Sequence, residues 1–226
     1  MQISYYDISS IPNRMEVLVS LTLLGATVSL PASPFPPLAL GFFGLGTGYL
    51  IYGPQELFGW PQRDVGVDFG TGMWGIWMPG FCQFLTGTYL FLGLTLFGTF
   101  TSMAPLYMAA LAFTAYGVHW FAIGWNRLRQ ADPRANFGMA VAFMLISVLG
   151  IVVFGKAKDY PVMGLFIGLT CIYLSDIVAS LGASAPALSR LGTRLLGFFH
   201  LGTGIFLMYL MFATVLDLVF KYTLYL

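Results

Sequence analysis

From Phe137 to Phe154 the chain offers one serine and otherwise only apolar side chains and glycine. In lipid, such a run satisfies its backbone N–H and C=O groups only as a helix or within a closed barrel. A hydrocarbon core about 30 Å thick takes about 20 residues of helix per crossing. Six stretches meet that description: about Pro37–Gly53, Gly72–Leu92, Pro105–Trp125, Phe137–Phe154, Val162–Leu181 and Leu195–Val219. Charges collect between them, at Glu56–Asp68, Arg127–Arg134, Lys156–Asp159 and Arg190–Arg194. Composition agrees: 226 residues are 58% hydrophobic and 8% charged, with a net charge of +1. So few charges cannot cover a water-facing surface, and no basic face is available for nucleic acid.

The expected fold is therefore an all-α integral membrane protein with six transmembrane helices per protomer. Residues 1–32 form an extension, 33–220 the six-helix transmembrane domain and 221–226 a tail. Within the extension, Val17–Leu30 is apolar but short, and the expectation is an interfacial or packed amphipathic helix, with a seventh span as the alternative. The uncharged link Gly93–Ala104 contains Gly98 and precedes Pro105, which argues for a bend or re-entrant turn. Four basic residues against six on the two sides fix no orientation.

One octet recurs. Gly41-Phe-Phe-Gly-Leu-Gly-Thr-Gly48 returns as Gly197-Phe-Phe-His-Leu-Gly-Thr-Gly204. Small residues at this spacing, with Gly44 and Gly48 as a GxxxG pair, let helix backbones approach closely. Both copies are expected to lie at tight helix–helix contacts.

Little else suggests chemistry. There is no nucleophile–base set, phosphate loop or metal spacing, so no catalytic residue, metal or cofactor is expected. Cys82 and Cys171 read as small core residues. His119 is expected near the wet end of its helix and His200 in a helix–helix contact. Asp176 is the one carboxylate well inside an expected span; a proton relay and an acid satisfied by a neighbouring helix are both open for it. Phe43, Tyr116 and Tyr173 lie mid-span beside small and hydroxyl residues, where they pack the core or line a narrow pore.

Three segments, in order, resemble the acetate uptake transporter family of bacterial succinate/acetate permeases and fungal acetate permeases. They are Pro37-Leu-Ala-Leu-Gly-Phe-Phe-Gly44, Gly80-Phe-Cys-Gln-Phe-Leu-Thr-Gly87 and Phe113-Thr-Ala-Tyr-Gly-Val-His-Trp120. The resemblance implies a homo-hexamer in a prokaryotic plasma membrane, with a pore in each protomer passing acetate, related monocarboxylates or succinate, coupled to protons. It places the constriction at Phe43, Tyr116 and Leu169, a polar glutamine at Gln83 and a doorway motif at Pro34, Pro36 and Pro37; beside such a gate Thr47, Gln83, Thr114 and Thr170 would supply hydrogen bonds. Asp176 is the candidate proton-linked group. The chain departs from the family pattern where Ser33 replaces its asparagine, Leu90 its glutamate and Val118 its serine. The other readings are a non-transporting subunit of a larger membrane complex and a passive pore for a small neutral solute.

Overall fold

The computed structural model describes residues 18–23, 26–31, 36–100 and 102–224. Strands β1 (Leu18–Leu23) and β2 (Ala26–Pro31) pair antiparallel, Leu18 opposite Pro31 and Leu23 opposite Ala26. This corrects the expected N-terminal helix and removes the seventh span. Val19, Thr22, Thr27 and Val28 are β-branched, and such residues favour an extended backbone.

The remainder is helical: α1 (Leu38–Phe58), α2 (Val65–Gly75), α3 (Cys82–Thr95), α4 (Leu106–Arg129), α5 (Asn136–Ala157), α6 (Tyr160–Ala179) and α7 (Pro186–Phe220). A π-helical turn, Ile76–Phe81, joins α2 directly to α3. Pro79 sits inside it, and a residue without an N–H cannot complete an α-helical ladder. Among the described residues four helices, α4 to α7, are long and apolar enough to cross a membrane. After α3 the chain leaves helical geometry at the uncharged link. Gly98 has φ +64°, and Phe100 folds back, 1% exposed, over Gly93.

The helices close into a ring in which α5 packs on α6, α6 on α7, α7 on α1, α1 on the π turn and α3, and α3 on α4. Aromatic and hydroxyl groups finish the seam between α4 and α5. Tyr116 meets Phe143 at 5.4 Å between ring centroids, and its hydroxyl lies 2.9 Å from Ser147 Oγ. Ser147 Oγ donates its own proton to the Phe143 carbonyl at 2.8 Å, so Tyr116 is the donor to Ser147.

Most of the repeated glycines lie at close contacts, as their spacing predicts, while Gly202 faces open space. A methyl group on Gly46 would meet the Gly204 carbonyl at 3.3 Å, and one on Gly53 the Gly197 carbonyl at 3.2 Å. Helices α1 and α7 thus run antiparallel with their backbones nearly touching. The GxxxG pair itself faces elsewhere, Gly44 against Cys82 and Gly48 against Pro79.

Helix α6 begins at a cap with a pH dependence. Asp159 accepts from the Val162 N–H at 3.1 Å, and burial pushes its carboxyl up from the ordinary carboxylate range. The folded protein therefore holds this proton to higher pH than the unfolded chain. Its contribution to stability is greatest below that range and is lost as pH rises through it. Asp159→Asn keeps an acceptor for the cap and is expected to remove this part of the slope. Thermal unfolding in detergent between about pH 4 and pH 7 reads it, and an unchanged slope in the variant refutes the assignment.

Candidate functional site

Two cavities enter the ring from opposite ends. The larger, about 490 Å³, lies among the C-terminal ends of α1, α4 and α6, the N-terminal half of α7 and the start of α2. The smaller, about 50 Å³, lies among the N-terminal halves of α1, α4 and α6 and the end of α5.

The larger cavity is built around charges. Asp64 caps α2 by accepting from the Val67 N–H at 2.8 Å, and one turn on Asp68 is 5% exposed. Arg63 holds it in two parallel bonds, Nε to Oδ1 at 2.9 Å and Nη2 to Oδ2 at 3.0 Å. Arg127 enters from α4. Its Nη1 is 3.9 Å from Asp68 Oδ1, donates to Thr71 Oγ1 at 3.1 Å and donates to Gln55 Oε1. Its guanidinium lies 4.0 Å above the Tyr52 ring. Across the cavity His200 Nδ1 is 2.5 Å from Glu56 Oε2, joining α7 to α1. At the rim Asp132 and Arg134 pair at 2.5 Å, and that pairing holds the Asp132 carboxyl down at about 2.

Charges spread along the sequence are thus gathered at one mouth. This corrects the expectation that they lie in separate loops: Glu56 lies in the last turns of α1, Asp68 in the first turn of α2 and Arg127 in the last turn of α4. Asp176 lies in the last turn of α6 and lines the same cavity. It is at the vestibule wall, not at mid-span. His119 is likewise not at a wet helix end: it lies mid-α4, 7% exposed, and lines the inner part of the vestibule. His200 fills the expected helix–helix contact.

An aromatic layer separates the cavities. Tyr116 and Tyr173 stack at 5.8 Å, with Tyr49 and Trp120 beside one another at 5.8 Å. Tyr173 faces the vestibule, and Tyr116 faces the smaller cavity. Tyr116 and Leu169 both line that cavity, 2% and 1% exposed. Phe43 does not join them. It is 40% exposed on the outer face of α1, whereas Phe42 is 2% exposed, lines the small cavity and packs against Phe113 at 5.8 Å. Adjacent helical residues point about 100° apart, so choosing the wrong member of a Phe-Phe pair moves the side chain from the axis to the periphery.

The polar set divides in the same way. Gln83 is fully buried on the small cavity's wall, and neither its Oε1 nor its Nε2 has a partner. Thr114 Oγ1 is buried without a partner, close against Gly87. Thr47 and Thr170 instead donate to the Phe43 and Phe166 carbonyls four residues back, at 2.8 Å each, and line neither cavity. Pro36 and Pro37 lead into α1, the Pro36 carbonyl accepting from the Leu38 N–H at 2.8 Å. Pro34 lies outside the described residues. Ser147, which fixes Tyr116, is the only hydroxyl in an apolar run and carries no motif that marks it.

No protein-family model matches the sequence. No curated protein matches it either. Among solved structures, the bacterial acetate channel SatP superposes with a TM-score of 0.62 over 84% of this chain and 96% of its own, at 21% identity. The two proteins share a fold. At that identity the match with SatP concerns the path of the helices. Any activity must be argued from this chain's own cavities.

Proposed function

We propose that this protein is a membrane channel for acetate and related small carboxylates, with six spans, a pore through each protomer and a hexameric assembly. The observation that carries it is the pair of cavities entering one helical ring from opposite ends and stopping at a shared layer of buried tyrosines. The SatP fold supports the same reading. Phe42, Tyr116 and Leu169 form the constriction, with Phe42 in the place first given to Phe43. An apolar ring of this kind disfavours a fully hydrated anion, so the acid passes it partly desolvated or protonated. Asp176 and the Glu56–His200 pair stand on the vestibule side, where a proton can be taken up or released.

Uptake of labelled acetate into liposomes tests this. The wild-type protein is expected to exceed empty liposomes, with faster uptake at lower pH. Tyr116→Ala removes a ring from the closed layer and is expected to raise flux several-fold while weakening discrimination against bulkier acids. No uptake by the wild-type protein at any pH overturns the proposal. Equal, pH-independent flux of urea and acetate assigns a passive pore instead.

A further inference from the structure

The acids around the vestibule are engaged: Glu56 by His200, Asp68 by Arg63, Asp132 by Arg134 and Asp176 by Ser180. Two buried side-chain nitrogens in the same wall have no protein partner, His119 Nε2 and Gln55 Nε2. Both are donors. Gln55 accepts from Arg127 through Oε1, which leaves its amide N–H groups on the free atom. His119 Nδ1 is 3.4 Å from the Tyr173 hydroxyl. A phenol donating there places the imidazole proton on Nε2. Buried polar atoms are almost always hydrogen-bonded, so two idle buried nitrogens in the wall of one cavity call for a partner.

His119 also stands in a telling place. It follows Tyr116 by three residues, hence on the same face of α4, and its ring is held by Phe143 at 4.7 Å and Tyr173 at 5.8 Å. Tyr116 faces the small cavity and His119 the vestibule. His119 thus stands one helical turn past Tyr116, on the vestibule side of the tyrosine layer. Trp120, Ile123 and Ile172 provide apolar wall beside it.

We propose that His119 Nε2–H, with Gln55 Nε2–H₂ as a second donor, forms a binding site for a small carboxylate anion on the vestibule side of the aromatic layer. It deepens the channel reading, on which it rests for the identity of the solute; binding is read without transport. Hydrogen bonds to a charged group discriminate far more than apolar contacts of the same shape. The site should therefore prefer acetate to acetamide, its neutral isostere.

The test uses the purified full chain in detergent. Isothermal titration with acetate and acetamide is compared for the wild type, His119→Phe and Gln55→Leu. Phenylalanine retains an aromatic ring among Phe143 and Tyr173 but removes the donor. His119→Phe is expected to weaken acetate binding about tenfold or more, Gln55→Leu to weaken it less, and the weak acetamide binding to stay unchanged. Acetate affinity equal to the wild type in a folded His119→Phe protein overturns the proposal. Should that variant not fold, ¹⁵N-histidine spectra of the wild type decide. The chain has two histidines, and acetate should move the protonated Nε2 signal of His119 but not the Glu56-paired His200. No movement overturns the proposal. Acetate binding through His119 in a protein that transports nothing would keep this site and remove the channel reading. Transport with acetate binding indifferent to His119 would do the reverse.

Discussion

Arg127→Met is expected to cost the helical domain about 3–5 kcal/mol, the range for removing one member of a buried charge network. Methionine retains much of the aliphatic stem, so the loss is chiefly of the guanidinium. Without it Asp68 remains 5% exposed with Arg63 alone, the Gln55 carbonyl oxygen loses its donor and the Tyr52 ring loses the cation above it. Arg127→Lys restores the charge without the planar fork and should recover only part of the loss. Denaturant or thermal unfolding in detergent measures both. An Arg127→Met protein as stable as the wild type would mean that this network does not hold α1, α2 and α4 together.

Gly197→Ala is the second large effect. A single methyl group there would lie 2.4 Å from the Leu57 amide nitrogen and 2.8 Å from the Gly53 carbonyl oxygen. Both are backbone atoms, which cannot rotate aside as a side chain would. The helices must separate along the antiparallel α1–α7 seam, and the expected loss is about 3 kcal/mol, at the upper end for overpacking. The separation should also stretch the Glu56–His200 contact, one helical turn away. Gly202→Ala supplies the comparison on the same helix, since nothing lies within 4 Å of a methyl group there. It should be neutral or stabilising by up to about 1 kcal/mol through helix propensity. Equal behaviour of the two variants would refute the close-approach account.

Helix positions were legible because apolar runs and charge breaks act over whole segments. Helices α4, α5 and α6 lie close to Pro105–Trp125, Phe137–Phe154 and Val162–Leu181. The tightness of the repeated octets was also legible, because glycine spacing encodes backbone approach directly. Facing was less so. Phe42 and Phe43 are chemically identical neighbours, and only the helix phase set by Gly46 and Gly53 against α7 decides which points inward. The N-terminal extension was misread because a short apolar stretch suits helix and strand alike. The charged vestibule was not legible as a site at all. Glu56, Arg63, Asp68 and Arg127 come from three helices and a loop and each reads singly as a span boundary, while His200 reads only as a helix–helix contact within a span. His119 looked unremarkable for a related reason: an idle nitrogen is a property of what surrounds it, and one chain's spacing does not list those neighbours.

The α1–α7 seam bears on how the molecule can be made. Its partners are among the most distant in the chain, Glu56 and His200 being 144 residues apart. During synthesis α1 emerges with its glycine face bare, and the surface that covers it arrives only when α7 does. Long-range closure of this kind is slow compared with local helix pairing. A ribosome stalled before α7 would therefore leave an open arc of helices, with Glu56 deprived of His200. Such an intermediate is the form that quality-control proteases would meet first.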